Sequence, residues 1–246
     1  MKRALKRILP ERLARLLLAR WRRATRPADA AALTGLEPVS AVWGLDRGTP
    51  IDRWYIERFL AAHAEDIRGR VLESGDPRYT RKFGGSRVTR ADVLHFGPGN
   101  PEATVEGDLV TGEGIPRNAF DCIILVNTFC LISEISAAVA TCRAALVPGG
   151  VLLGHFTGIG PLGPSDWGPA GWSGSGDHMR FTRASAWRAC APSFAAADLD
   201  VQGYGNVRSV TAFLYGLAAE ELTPPELAHR DPNVDFVIVA RARRRA

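Results

Sequence analysis

The hydrophobic pattern of this chain alternates between short apolar runs and amphipathic segments from about residue 51 onward. Apolar runs at 70–73, 87–94, 103–106, 120–126 and 151–155 predict the first five strands. Three- to four-residue spacing predicts helices at 51–64 and 135–146. Strands that alternate with helices form parallel sheets covered on both faces, so the pattern predicts an α/β protein with a doubly wound, mostly parallel seven-stranded sheet.

The second half of the chain supplies the remaining predicted elements. Pro148-Gly149-Gly150 predicts the turn into strand five, and a loop rich in Gly, Pro and Trp follows at 154–176. Thr182 is predicted to cap a helix. A strand near Val201, a helical insert over 209–227 and a last strand over 235–240 complete the prediction.

The N-terminal segment has a different character, because residues 1–26 form a basic amphipathic pattern. Apolar side chains recur every three or four positions, and a helix is predicted to about Arg23 with Pro10 in its first turn. This helix is predicted either to bind an anionic membrane surface or a partner enzyme, or to pack on its own domain. An organelle transit peptide is a further alternative. Residues 27–42 are predicted to be a linker, which divides the chain into an extension (1–42) and a catalytic domain (43–246).

The positive charge of the chain is concentrated at its ends. The sequence has 31 Lys and Arg against 26 Asp and Glu, and a pI near 9.3. Residues 1–26 hold ten of the basic residues and one acid, and 241–245 hold four more, which leaves 17 basic against 25 acidic residues between. The body is therefore acidic, which argues against a broad nucleic-acid-binding face.

The four cysteines predict no metal site or disulfide framework. Cys122, Cys130, Cys142 and Cys190 lie in apolar stretches without a C-x-x-C pair. They are interpreted as reduced core residues of a cytoplasmic protein. The chain also lacks an apolar run of eighteen residues, so no transmembrane helix is predicted.

Five ordered motifs carry a resemblance to a known family. They are Val71-Leu72-Glu73-Ser74-Gly75, Asp92 at the end of strand two, Gly107-Asp108-Leu109, the segment 115–121 before strand four, and Leu146-Val147-Pro148-Gly149-Gly150. Over about residues 44–243 the chain resembles class I S-adenosylmethionine (SAM)-dependent methyltransferases. The resemblance implies a Rossmann-like fold and SAM as cofactor. Segments 44–53 and 177–182 are similar to a bacterial subgroup often found near sugar-transfer and natural-product pathways.

The resemblance implies cofactor contacts at the carboxyl ends of the strands. Glu73 and Gly75 would begin the loop beside the ligand, and Asp92 would accept both ribose hydroxyls. Asp108 would accept the adenine amino group, with Leu109 against the ring. Each assignment has a structural alternative: Glu73 caps backbone amides, and the two aspartates form turns.

The loop after strand one departs from the family pattern. Gly75 is followed by Asp76-Pro77-Arg78-Tyr79, so two expected glycine positions hold Pro77 and Tyr79. Because proline lacks an N–H and fixes φ, Asp76 or Tyr79 is expected to contact the methionine end of SAM instead of backbone amides. The absence of G-x-G-x-x-G disfavours NAD. Asn127, beyond strand four, is expected beside the methyl group.

Methyl transfer to a hydroxyl group requires a base near the methyl donor. His178 is the first candidate, and His155 and Asp166 are the others. Trp167 and Trp172 either stack on a sugar or aromatic acceptor or cap the sheet. Three functions remain open: O-methylation of a small sugar-containing or natural-product acceptor, a non-methylating cyclisation or rearrangement that uses SAM, and non-catalytic scaffolding.

Overall fold

The computed structural model describes residues 10–25, 35–163 and 176–245. The chain divides into two compact units. The first contains the described residues up to Tyr55 together with Tyr204–Phe236, and the second contains Ile56–Gly203 and the chain after Val237. This grouping differs from the predicted division at residue 42, because residues 43–55 and 204–236 associate with the N-terminal segment.

A buried ion pair joins the two parts of the first unit. The Arg47 side chain is 1% exposed and donates from Nε to Glu221 Oε2 at 2.9 Å and from NH2 to Oε1 at 2.5 Å. Pro50 forms an antiparallel bridge with Ala218, and the Tyr55 hydroxyl donates to the Leu227 carbonyl oxygen at 2.8 Å. A buried charge must be paired, so these contacts hold together segments about 170 residues apart in sequence.

Both sequence segments of the first unit contain helices. Helix α1 (Glu11–Thr25) begins directly after Pro10, and α2 (Ile51–Ala62) starts in this unit. The predicted helical insert over 209–227 consists of two helices, α5 (Val207–Leu214) and α6 (Pro224–Ala228). The chain turns at Gly216, whose φ is +73° and where a Cβ would lie 2.2 Å from the Ser40 carbonyl oxygen, so only glycine fits.

The second unit is built on a seven-stranded sheet. Its order is β3-β2-β1-β4-β5-β7-β6. The neighbours from β3 to β5 pair in parallel, whereas β7 pairs antiparallel with β5. The strands are β1 Gly69–Ser74, β2 Val88–His95, β3 Val105–Glu106, β4 Phe120–Leu125, β5 Leu146–Thr157, β6 Leu199–Tyr204 and β7 Val237–Arg243. The predicted α/β fold with a mostly parallel sheet is confirmed.

One face of the sheet packs against α3 (Ile135–Ala145) and α4 (Arg183–Cys190). Thr182 caps α4 as predicted, accepting from the Ser185 N–H. The four cysteines are buried free thiols. None of the described helices has the length and apolar character needed to cross a bilayer.

Strand boundaries differ from the prediction, and β3 and β5 are two clear cases. Strand β3 has only two residues. Strand β5 begins at Leu146, which was predicted to be the last residue of the helix over 135–146. Leu146 pairs with Phe120 and Val151 pairs with Cys122, so the strand carries extra residues between these pairs. The predicted turn at 148–150 is therefore a bulge inside β5.

Candidate functional site

A crevice is expected where strand connections leave the sheet in opposite directions. Strand β1 pairs with both β2 and β4, so the chain reverses its direction across the sheet beside β1. The Ser74 and Thr128 hydroxyl oxygens, beyond β1 and β4, lie 2.6 Å apart. Gly75 has a φ of +84°, and a Cβ there would meet nothing within 4 Å. We call the edge formed by Ser74, Gly75, Phe96 and Asn127 the crevice.

Glu73 shapes the loop beside the crevice. Its side chain is 3% exposed, and its two oxygens accept the backbone N–H groups of Tyr79 at 3.0 Å and Thr80 at 2.7 Å. These amides begin a short π-helical turn, Thr80–Gly84. Tyr79 is also buried and stacks on Phe83, with ring centroids 6.3 Å apart. Glu73 thus caps backbone amides, which is the structural alternative to a cofactor contact. These hydrogen bonds hold a loop that lacks the glycines usual in the family.

Burial makes Glu73 a titratable group near neutral pH. Removal of the carboxylate from water outweighs the hydrogen bonds from Thr80 and Tyr79 and raises the pKa of Glu73 to about 7. The unfolded chain releases the proton at lower pH, so the folded state binds more protons in the interval between the two pKa values. Folding stability must then fall as pH rises through that interval.

We expect Glu73→Gln to flatten the dependence of unfolding free energy on pH. In the wild-type protein, the rise of the Glu73 pKa from its ordinary value to about 7 corresponds to about 3 kcal/mol of unfolding free energy. Denaturant unfolding between about pH 5 and about pH 8 measures this difference. Glu65→Gln is the control, because Glu65 is 88% exposed and should leave the profile unchanged. Parallel profiles for the wild type and Glu73→Gln would contradict the assignment.

Asp92 is not at the end of β2, which continues to His95. The residue is 1% exposed, and its carboxylate accepts from Arg70 Nε at 2.7 Å, Arg90 NH2 at 2.9 Å and the Thr104 hydroxyl at 2.9 Å. Burial acts to raise the pKa of Asp92, but these partners together lower it. The predicted strand end at Asp92 is wrong, and both oxygens are engaged inside the sheet.

The motif after β3 forms a turn. Asp108 Oδ1 accepts the Val110 N–H at 2.7 Å, and Oδ2 accepts the Thr111 hydroxyl at 3.1 Å. Each oxygen has a second lone pair, so the carboxylate can still accept a ligand amino group. Leu109 is 7% exposed and belongs to the hydrophobic core. Its predicted position against the adenine ring conflicts with this packing.

The other predicted contacts lie at the loop surface. Asp76 Oδ1 accepts the Arg78 N–H at 2.9 Å, and its Oδ2 lies 3.2 Å from the Arg78 guanidinium. Asn127 is exposed and has a φ of +53°. The Asn100 side-chain amide donates to the Gly75 carbonyl oxygen at 2.6 Å and fixes the loop from the side of β2.

The histidine candidates differ in burial. His155 is 3% exposed, and burial lowers its pKa to about 3, so it remains neutral at physiological pH. Its Nδ1 accepts weakly from the Asn127 N–H at 3.4 Å. His178 is exposed, and its backbone N–H donates to the Cys130 carbonyl oxygen at 2.7 Å, beside the loop after β4. The lowered pKa makes His155 a weak proton acceptor, whereas His178 is exposed.

Asp177, the neighbour of His178, forms an ion pair with Arg180. Asp177 accepts from Arg180 NH2 at 2.9 Å and from the Gly163 N–H at 2.8 Å. Burial acts to raise the pKa of Asp177, but these bonds lower it, so it remains a carboxylate. The predicted base Asp166 and the two tryptophans, Trp167 and Trp172, lie outside the described residues.

Two residues at the end of β2, His95 and Phe96, were not among the candidates of the sequence analysis. Phe96 follows the strand and is 74% exposed. His95 Nδ1 donates to the Gly97 carbonyl oxygen at 2.9 Å, so its Nε2 bears a lone pair in the neutral ring. The turn residues Gly97-Pro98-Gly99 were the available signal, since they mark the true end of the strand.

Comparisons with known proteins identify the architecture. No family model matches the chain, and no curated protein matches it. A SAM-dependent methyltransferase from Archaeoglobus fulgidus aligns with a TM-score of 0.50 and 7% identity over 78% of this chain and 94% of its own. A SAM-dependent methyltransferase from Mesorhizobium loti aligns with a TM-score of 0.48 and 15% identity over 78% and 98% of the two chains. The [4+2]-cyclase SpnF aligns with a TM-score of 0.48 and 15% identity over 77% and 82%. The chain has the α/β fold of class I SAM-dependent methyltransferases.

Proposed function

We propose that this chain binds SAM in the crevice and transfers its methyl group to a hydroxyl of a small acceptor. The observation that carries the proposal is the open edge at Gly75, located where the strand order reverses. Ligands of open α/β sheets bind at this point. Bound SAM would supply a methyl carbon activated by a cationic sulfonium.

The residues around the crevice fit the parts of SAM. The exposed ring of Phe96 offers a surface for the adenine, and Asp108 retains lone pairs for its amino group. Because the carboxylate of Asp92 is engaged elsewhere, we assign one of the ribose hydroxyls to His95 Nε2. Asn127, exposed after β4, would lie beside the methyl group.

At the methionine end, the hydroxyls of Ser74 and Thr128 offer polar contacts beside Gly75. Asp76, about half exposed, would pair with the ammonium group of SAM. Glu73 and Tyr79 act indirectly in this arrangement, because the Glu73 carboxylate holds the Tyr79 amide and so the shape of the loop.

We assign His178 as the base that receives the acceptor proton. Its exposed position beside the loop after β4 supports this role, and the buried, neutral His155 does not compete for it. The resemblance of 44–53 and 177–182 to a subgroup near sugar-transfer and natural-product pathways favours a sugar-containing or natural-product acceptor.

Gly75→Ala should weaken SAM binding at least about tenfold, because its methyl group would enter the open space reserved for the ligand. Gly85→Ala is the matched control. Gly85 also has a positive φ, +56°, with no atom within 4 Å of a Cβ, but it precedes β2 at the other end of the sheet. Both substitutions place a Cβ at a positive φ, which L residues rarely adopt. Isothermal titration calorimetry with SAM compares their affinities.

Equal affinities of the two variants would remove Gly75 from the cofactor site, and wild-type protein without SAM affinity would overturn the proposal. Product analysis then distinguishes the reactions. A methylated product with S-adenosylhomocysteine supports methyl transfer. A cyclised or rearranged product with SAM intact identifies the non-methylating alternative.

A further inference from the structure

Helix α1 exposes apolar side chains that its own unit leaves in contact with water. Leu13 is 44% exposed, Leu16 67%, Leu17 43% and Trp21 47%. Their spacing of three and four residues places them on one side of the helix. Ala14 and Ala19 of the same helix are buried, at 1% and 9%. The small residues face the protein and the large apolar ones face outward, the reverse of an ordinary surface helix.

The outward orientation is fixed by contacts in the last turn of α1. Arg22 NH1 donates to the Asp46 carbonyl oxygen at 2.7 Å and lies 3.1 Å from its carboxylate. Arg23 donates to the Arg47 carbonyl oxygen. Arg47 is itself held by the buried pair with Glu221. The helix is therefore tied to an ordered part of the first unit.

The segment that carries the exposed apolar face is basic. Arg20 is exposed on the same side as Leu13, Leu16 and Leu17. Helix α1 contains five arginines, two of which (Arg22 and Arg23) bond to the first unit, and one acid, Glu11; residues 1–9 add four further Lys and Arg in the sequence. An apolar stripe with cationic side chains complements a surface that offers apolar chains below a layer of negative charge.

We propose that the face of α1 bearing Leu13, Leu16, Leu17 and Trp21 docks on an anionic lipid bilayer. Fifteen helical residues are about 22 Å long, so the helix lies in the plane of the interface and does not span it. The leucines enter the acyl boundary, and Trp21 takes the interfacial position that its ring prefers. Arg20 extends its guanidinium to the lipid phosphates while its stem remains with the leucines.

The proposal is tested with full-length protein and sedimented vesicles. We expect binding to vesicles of phosphatidylcholine with about 30 mol % phosphatidylglycerol and little binding to phosphatidylcholine alone. Salt of about 0.5 M should weaken binding, because the Debye length falls below the reach of the arginines. Leu16→Gln/Trp21→Gln should reduce the partition coefficient at least about tenfold, through loss of apolar area.

Val207→Gln/Leu214→Gln is the matched control. These side chains are 72% and 42% exposed on helix α5, so the same number of exposed apolar groups is removed elsewhere. This variant should bind vesicles as the wild type does. Both double variants should keep the circular dichroism spectrum of the wild type, since all four positions are exposed.

Equal vesicle binding by Leu16→Gln/Trp21→Gln and the wild type would overturn the proposal. So would binding that ignores lipid charge, or a wild-type protein that binds neither vesicle. A concentration-dependent dimer that disappears in Leu16→Gln/Trp21→Gln would instead show that a second copy covers this face. Because lipid binding is measured without SAM or acceptor, this test can fail independently of the proposed function.

Discussion

Asp92→Ala should lower the free energy of unfolding by about 2 to 4 kcal/mol. The change removes a 1%-exposed carboxylate and leaves Arg70, Arg90 and Thr104 without their common acceptor. The arginines are partly exposed and recover some hydration, which keeps the loss below that of a fully buried pair. Chemical denaturation near neutral pH measures it.

The pH dependence of this variant gives a second test. The pKa of Asp92 is lowered in the folded state, so its contribution to stability is present above the unfolded pKa and is lost as pH falls through the folded value. Asp92→Ala should therefore approach the wild type in stability as the solution becomes acidic. Glu65→Ala, at an 88%-exposed carboxylate paired with Arg87, should cost less than about 0.5 kcal/mol.

The outcome also separates two roles for Asp92. A carboxylate that held the ribose would weaken SAM binding when removed while leaving the unfolding free energy nearly unchanged. The hydrogen bonds inside the sheet lead us to expect the opposite pattern, with a large loss of stability and SAM affinity retained in the folded variant. Unchanged stability with lost affinity would restore Asp92 to the cofactor site.

His178→Ala should reduce the rate of methyl transfer on the order of 10²- to 10⁴-fold, which is the usual contribution of a general base. SAM affinity should remain, because His178 is assigned to the acceptor proton and not to the cofactor. Single-turnover measurements with radiolabelled SAM follow the reaction.

His229→Ala is the control for this experiment, since His229 is also exposed but lies at the end of α6 in the first unit. It should turn over at the wild-type rate. Near wild-type turnover by His178→Ala would exclude it as the base and direct the search to Asp166 or to an acceptor that needs no deprotonation.

The sequence alone predicted the order and type of most elements in the sheet. Its strands are apolar runs bounded by turn residues, and such local periodicity survives folding because each strand needs its apolar face buried. The cap at Thr182 and the buried thiols followed from equally local signals. The position of Gly75 directly after β1 also followed, because the short strand around Val71 and Leu72 is followed by the turn-forming residues Gly75-Asp76-Pro77.

Only the tertiary structure shows which acids are engaged in hydrogen bonds within the fold. Asp92 and Glu73 have the residue types of a cofactor site, yet Arg70, Arg90, Tyr79 and Thr80 occupy their oxygens. The ion pair between Arg47 and Glu221 likewise joins segments that are 174 residues apart in the sequence. The sequence identifies a carboxylate as a hydrogen-bond acceptor, but its donors come from distant strands and loops. Only the folded structure therefore determines whether its lone pairs remain available to a ligand.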